Sequence, residues 1–201
     1  MICIINYGMG NLGSIRNMFK KIGLKTLITS DLAEIESAEK IILPGVGSFD
    51  AAINKINELG IKPILEFKSK EEKIPILGIC LGMQLLTECS EEGNLPGLGF
   101  IKSKTTKFPM NIGLKIPHMG WNDVQITKQS PLTRDLPPEP RFYFVHSYCV
   151  HVEDNHDSLL KTHYGIEFDS AIQHENIFGV QFHPEKSHKF GMKLLKNFGD
   201  L

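Results

Sequence analysis

A thiol at a sharp turn, and a histidine with an acid two residues away, are the residue types that could do chemistry here. Residues 74–86 read IPILGICLGMQLL, with Cys80 between Gly78 and Gly82. That pattern has the form of a nucleophile elbow in which Cys replaces the Ser of G-x-S-x-G. A side chain at a strained strand-to-helix turn is pushed out of the core, and the glycines let the turn pack closely. A helix beginning just after the turn favours the thiolate. The backbone N–H of Leu81 would point into the same space and could donate to an oxyanion formed when Cys80 attacks a carbonyl. A second donor could come from the loop Pro44-Gly45-Val46-Gly47, which also follows an apolar run. The plain alternative is a buried structural thiol. The flanking glycines favour the nucleophile, and Cys3, Cys89 and Cys149, which lack such a frame, read as structural.

A nucleophilic cysteine needs a base, and the base needs a group to orient it. His183, in GVQFHPEKS, follows an apolar run and precedes a helical segment. Pro184 fixes the local backbone. Glu185 could bond one imidazole nitrogen while the other faces Cys80. The alternative for Glu185 is a solvated acid at a helix start. His151, His156, His163, His174 and His188 lie in polar stretches and read as exposed. No pair of residues has convincing metal spacing, and the expectation is no metal and no cofactor.

These residues must be held by a fold, and the first half of the chain suggests which. Short apolar runs at 2–6, 26–29, 40–43 and 74–79 alternate with helical segments at 12–22, 32–38, 49–59 and 63–70. Strands alternating with helices predict a parallel sheet covered on both faces. From Leu98 to Phe182 the runs are shorter and broken by Pro, Gly, Asn and Asp: 100–108, 114–116, 124–126, 142–145 and 171–173. They predict added antiparallel strands. A closing helix is expected over 187–198, with Ser187 as its cap. The 201 residues suit a single domain over 1–201. The chain is 41% hydrophobic and 22% charged, with a net charge of −1. That balance offers no basic excess for nucleic acid or an anionic membrane. Cysteines without paired spacing, and no leader-like N-terminus, point to a reducing, cytoplasmic setting.

Gly8-Met9-Gly10-Asn11-Leu12-Gly13 raises a rival reading. It is a GxGxxG after a strand and before a helix, with Asp31 where a ribose-binding acid belongs. A dinucleotide-binding module is therefore an alternative, although it leaves Cys80, His183 and Glu185 unexplained.

GICLG, PGVGSF and HPE together resemble the class I, triad-type glutamine amidotransferases. PHMGWN (117–122), YFVHSY (143–148) and FHPEKS narrow the resemblance to the glutaminase subunits of imidazole glycerol phosphate synthases, in histidine biosynthesis. The motifs run from Tyr7 to Ser187. The resemblance implies a flavodoxin-like, doubly wound, mostly parallel sheet with added antiparallel strands, and hydrolysis of glutamine to glutamate and ammonia. It implies Cys80 as nucleophile, His183 as acid and base, and Glu185 as its orienting group. Val46, Gly47 and Leu81 would form the oxyanion hole; Gly47, Gln84, Ser147 and Tyr148 would bind glutamine. Ammonia would pass to a separate (β/α)8-barrel synthase subunit in a heterodimer, and the synthase would make imidazole glycerol phosphate and aminoimidazole carboxamide ribotide. Asn11, Trp121, Tyr143 and Lys186 would lie at that interface, although a lone Trp121 could equally be a core aromatic. The same glutaminase could instead serve a paralogous amidating synthase in surface-sugar biosynthesis. A cysteine peptidase or γ-glutamyl hydrolase on a similar fold is a further alternative.

Overall fold

The computed structural model describes residues 1–110 and 113–201. The first half alternates as its apolar runs predict: β1 (Ile2–Ile5), α1 (Leu12–Lys21), β2 (Thr26–Thr29), α2 (Leu32–Glu36), β3 (Lys40–Gly45), α3 (Phe49–Glu58), α4 (Ile61–Lys70), β4 (Ile76–Cys80) and α5 (Leu81–Leu85). The second half adds β5 (Cys89–Ser90), β6 (Ser103–Lys107), β7 (His118–Asp123), β8 (Gln125–Ile126), β9 (Arg141–His146), β10 (Tyr148–Val152), β11 (Ser158–Tyr164), β12 (Ile166–His174), β13 (Ile177–Val180) and α6 (His188–Gly199).

One sheet runs in the order β2-β1-β3-β4-β13-β12-β10-β6-β5. Its β2-β1-β3-β4-β13 portion is parallel throughout, the flavodoxin-like order. Strands β13, β12, β10 and β6 then pair antiparallel, and β7 pairs β9 in a separate two-stranded ribbon. The alternation of side chains along β1 divides the core. Ile2 and Ile4 pack on one face with Ile15 and Phe19 of α1 and Leu194 and Phe198 of α6. Cys3 and Ile5 pack on the other with Ile35, Phe49, Ile53 and Leu65 of α2, α3 and α4. Each such fully buried side chain contributes about 1.5–3 kcal/mol of transfer free energy.

Local signals start and stop the helices. Asn11 accepts from the Ser14 N–H at the start of α1, and Gly23 takes a left-handed φ of +81° just past its end. Asp31 caps α2 by accepting from the Glu34 N–H. That employment, and the packing of Gly10 on Pro44, give the GxGxxG stretch and its acid structural duties.

Some expectations need correction. No strand forms over 114–116. Ser187 stands at the cap position of α6 but makes no capping bond with its side chain; its hydroxyl instead donates to the His183 carbonyl and accepts from the Tyr143 N–H. Cys89 is exposed on an edge strand, unlike the buried Cys3 and Cys149.

Candidate active site

Register brings the site together. β3 and β4 pair with Gly45 opposite Cys80, and β13 pairs β4 with Val180 opposite Ile79. The three strands therefore end side by side. The residues just past those ends, Val46–Gly47, Cys80–Leu81 and His183, converge on the carboxyl edge of the sheet, where open α/β sheets bind ligands.

The elbow is as tight as its glycines imply. Cys80 has φ +56° and ψ −111°, a strained conformation for a residue with a side chain. A Cβ on Gly82 would sit 1.8 Å from the Leu43 carbonyl oxygen, and one on Gly78 would sit 2.5 Å from the Gly82 oxygen. Both exceed any tolerable contact, so the turn requires glycine on each side of the cysteine. Leu81 is buried beside it. Gly47, at φ +115°, supplies a conformation that L side chains rarely adopt, and exposed Val46 precedes it. The Tyr7 hydroxyl donates to the Pro44 carbonyl and ties this loop to the end of β1.

His183 is held by its backbone as well as its ring. Its N–H donates 2.9 Å to the Tyr143 carbonyl, and its own carbonyl accepts from Ser187 Oγ at 2.6 Å. Nδ1 lies 2.8 Å from Glu185 Oε1. Because Nδ1 faces the carboxylate, Nε2 is left for the cleft, whose wall His183 shares with Cys80. Glu185 is not a solvated acid: its side chain is 1% exposed. Burial opposes charge on the imidazole, but hydrogen bonding and charge attraction from Cys80 and Glu185 overcome it and raise His183 to about 10. The ring is thus set to hold a proton between a sulfur and a carboxylate.

Cys80 and His183 open into a cleft of about 370 Å³, lined also by Val46, Gly47, Leu81, Gln84, Ser147 and Tyr148 among others. Of the residues expected for catalysis, the oxyanion hole and glutamine binding, Glu185 does not line the cleft and stands behind His183, and the others are on its wall. A hollow of about 500 Å³ bordered by Ile126, Ser130 and Arg134 is lined by neither a cysteine nor a histidine. Of the expected interface residues, Lys186 lines the cleft, and Trp121 lines a separate hollow with Arg141 and His188. Trp121 pairs in register with Tyr143, is 43% exposed and stacks on His188 at 5.6 Å, so it is no core aromatic. Lys186 Nζ lies 5.7 Å from the Tyr143 ring centre and itself lines the cleft. Asn11 is the exposed cap of α1, which packs on the turn bearing Lys186.

Three residues of the site were not singled out from sequence. Gln181, fully buried, donates to Cys80 Sγ at 3.8 Å and accepts from Gln84 Nε2 at 3.0 Å. Its place two residues before His183 was the available signal. Glu92 lines the cleft and accepts from the Phe49 N–H at 2.9 Å; burial raises its carboxyl above the usual range. No local motif marks it. His146 also lines the cleft and lies within the quoted stretch YFVHSY.

The model of the glutamine amidotransferase class-I family matches residues 3–200. Imidazole glycerol phosphate synthase subunit HisH 2 of Methanococcus maripaludis is 58% identical over 98% of both chains. The subunit HisH of Sulfurimonas denitrificans is 51% identical over 98% of this chain and 97% of that one. That of Bdellovibrio bacteriovorus is 45% identical over the whole of both. Two solved structures share the fold. One, a glutamine amidotransferase, has a TM-score of 0.76 at 15% identity and covers 99% of this chain and 100% of that chain. The other, PurLQS from Thermotoga maritima, has a TM-score of 0.75 at 18% identity over 99% and 97%.

Proposed function

Since the chain belongs to the class-I glutamine amidotransferase family, we propose that it is the glutaminase subunit of an imidazole glycerol phosphate synthase in histidine biosynthesis. It hydrolyses glutamine to glutamate and ammonia, and acts as one domain over residues 1–201. Full-length relatives at 45–58% identity carry that subunit's name. The observation that carries the chemistry is Cys80 and His183 on the wall of a cleft with room for one amino acid, with Glu185 bonded to His183 behind it.

The reaction follows from that line. Cys80 Sγ attacks the side-chain amide carbon of glutamine, and the oxygen takes the negative charge. Leu81 and the Val46–Gly47 loop donate backbone N–H groups to that oxyanion. His183 Nε2 gives its proton to the leaving nitrogen, which departs as ammonia and leaves a glutamyl thioester. His183 then takes a proton from water, whose oxygen attacks the thioester carbon; glutamate leaves and Cys80 is restored. Glu185 holds the ring orientation and stabilises the imidazolium. Gln84, Gly47 and the backbone at Ser147 and Tyr148 bind the substrate. The Glu92 carboxylate suits its α-ammonium.

Ammonia passes to a separate synthase subunit with a (β/α)8 barrel, docked at Asn11, Trp121, Tyr143 and Lys186. The synthase makes imidazole glycerol phosphate and aminoimidazole carboxamide ribotide. The setting is cytoplasmic; no described helix is long and apolar enough to cross a membrane. The test is glutamate release from glutamine by the chain alone and with the barrel subunit plus its ribonucleotide ligand. A large ligand-dependent rise supports reaction and partner together. No rise, with Cys80 still labelled by a glutamine-like electrophile, keeps the glutaminase and rejects this synthase.

A further inference from the structure

Two histidines outside the triad are almost wholly buried: His118, 2% exposed, and His146, 6% exposed. Their hydrogen bonds form a chain whose direction follows from elementary bookkeeping. His146 Nδ1 lies 2.7 Å from the Tyr148 carbonyl. A carbonyl only accepts, so Nδ1 carries the proton and, in a neutral ring, Nε2 is bare. His118 Nδ1 lies 2.9 Å from that bare nitrogen and must therefore donate. His118 Nε2 is then bare in turn, and Asn122 Nδ2 donates to it at 3.2 Å. The second hydrogen of that amide goes to the His163 carbonyl at 3.1 Å. Burial holds both rings neutral, which the scheme requires. With both rings neutral, reversing any one bond would set two donors or two acceptors face to face.

The chain does not end at Tyr148. The same carbonyl accepts from Gln84 Nε2 at 3.3 Å, Gln84 also donates to Gln181, and Gln181 donates to Cys80 Sγ. At the far end Asn122 lies on β7, the strand that carries exposed Met119 and Trp121. The two rings sit among aromatic side chains. His118 stacks on Tyr164 at 4.0 Å and on Phe144 at 4.7 Å. His146 packs against Phe108 and Phe168, each at 5.2 Å. Polar bonds in such surroundings are strong when complete and costly when broken.

We propose that Asn122, His118 and His146 form a one-way hydrogen-bond relay that fixes the Tyr148 carbonyl, and through it Gln84, in the geometry that binds glutamine. His118 acts as the positioning residue. This rests on the glutaminase reading above. His118 is not itself among the residues lining the cleft, and its influence on glutamine passes through His146, to which it donates.

The test compares two variants in the complete complex with the synthase subunit, with glutamine as the probe. His118→Phe keeps a flat ring between Tyr164 and Phe144 but removes the donor to His146. It is expected to raise KM for glutamine about tenfold and to change kcat by less than about threefold. His118→Asn, whose amide N–H can replace Nδ1–H, is expected to bring KM back to within about threefold of the parent. A role in packing alone predicts the opposite order, with Phe the milder change. That order, or equal KM values for both variants and the parent, overturns the proposal. A second measurement stands apart from activity and from variant folding. Nitrogen NMR of the histidine-labelled parent chain at neutral pH is expected to show both rings protonated at Nδ1 and bare at Nε2. An Nε2–H tautomer at either ring overturns the relay even if glutaminase activity is present. A parent complex without glutaminase activity would overturn the functional reading and leave the tautomer result to decide the relay.

Discussion

Glu185→Gln isolates the charge of the third member of the proposed triad without changing its size. In the folded chain Oε1 accepts from His183 at 2.8 Å, while buried Oε2 has no hydrogen-bond partner among the described residues. A glutamine therefore has two poor choices. With its oxygen kept toward Nδ1, its NH2 group is buried where the carboxylate oxygen found no donor. With the amide turned over, two donors meet at Nδ1; the ring must then move its proton to Nε2 and cannot act as base toward Cys80. A hydrogen bond to a charged group contributes about 1.5–3 kcal/mol, and an orphaned buried donor costs about 1–3 kcal/mol. Only the part felt more strongly in the transition state raises the barrier, so we take about 2–4 kcal/mol, which lowers kcat about 30- to 1,000-fold. The assay is initial-rate glutamate release by the complex, parent and variant side by side, with His183 titrated by NMR. Loss of the carboxylate should bring His183 down from about 10, since Glu185 is one of the groups holding it up. A variant within threefold of the parent, or an unmoved His183, would refute the argued role of the charge.

Other substitutions and conditions test separate links. Cys80→Ala should abolish glutamine hydrolysis while leaving complex formation and ammonia-driven synthesis intact; loss of ammonia-driven synthesis in a formed complex would count against the nucleophile assignment. Gly82→Ala drives a Cβ to 1.8 Å from the Leu43 oxygen and should destabilise the fold by at least about 3 kcal/mol, read as a lowered urea midpoint; a parent-like midpoint would show that the elbow is not this tight. Trp121→Ala should weaken binding of the synthase subunit by about 2 kcal/mol, roughly 30-fold, with unchanged melting of the isolated chain; unchanged affinity would remove Trp121 from the interface. Stability should fall on both sides of about pH 6.5. Burial lowers His118 to about 4 and His146 to about 3, so acid protonates them only in the unfolded chain, and nearby His183 adds to the effect at His146. His183 is raised, so its contribution is complete below its unfolded value and is lost as the pH climbs toward 10. Urea midpoints from pH 5 to 9 would show the maximum, and His118→Phe should flatten the acid side. A flat parent profile would refute both shifts.

The parts of this molecule that were legible from sequence are those where pattern and burial agree. β1, β3 and β4 are apolar on both faces because helices cover both, and α1, α3 and α4 carry their apolar residues at helical spacing; their limits fall within about two residues of the expected ones. GICLG was legible for a steric reason, since nothing larger than hydrogen fits at Gly78 or Gly82. β12 was seen only as 171–173 because Glu167, Asp169 and Ser170 interrupt its apolar run. Asp169 and Ser170 are nonetheless buried, and Asp169 is accommodated by donors from Val152 and Ser158. Such a pairing is long-range and leaves no local trace.

β7 shows the limit most clearly. In PHMGWN the apolar Met119 and Trp121 face outward and His118 is buried, the reverse of what alternation predicts for a strand over a core. An outward apolar face on a strand whose inner positions are polar has two requirements. Something must cover the outside, and every polar atom inside must find a partner. The proposed synthase subunit meets the first, and the relay from Asn122 to Tyr148 meets the second. The inverted pattern is thus one fact with two consequences: the proposed docking face lies on the outer side of β7, and the proposed relay starts from its inner side.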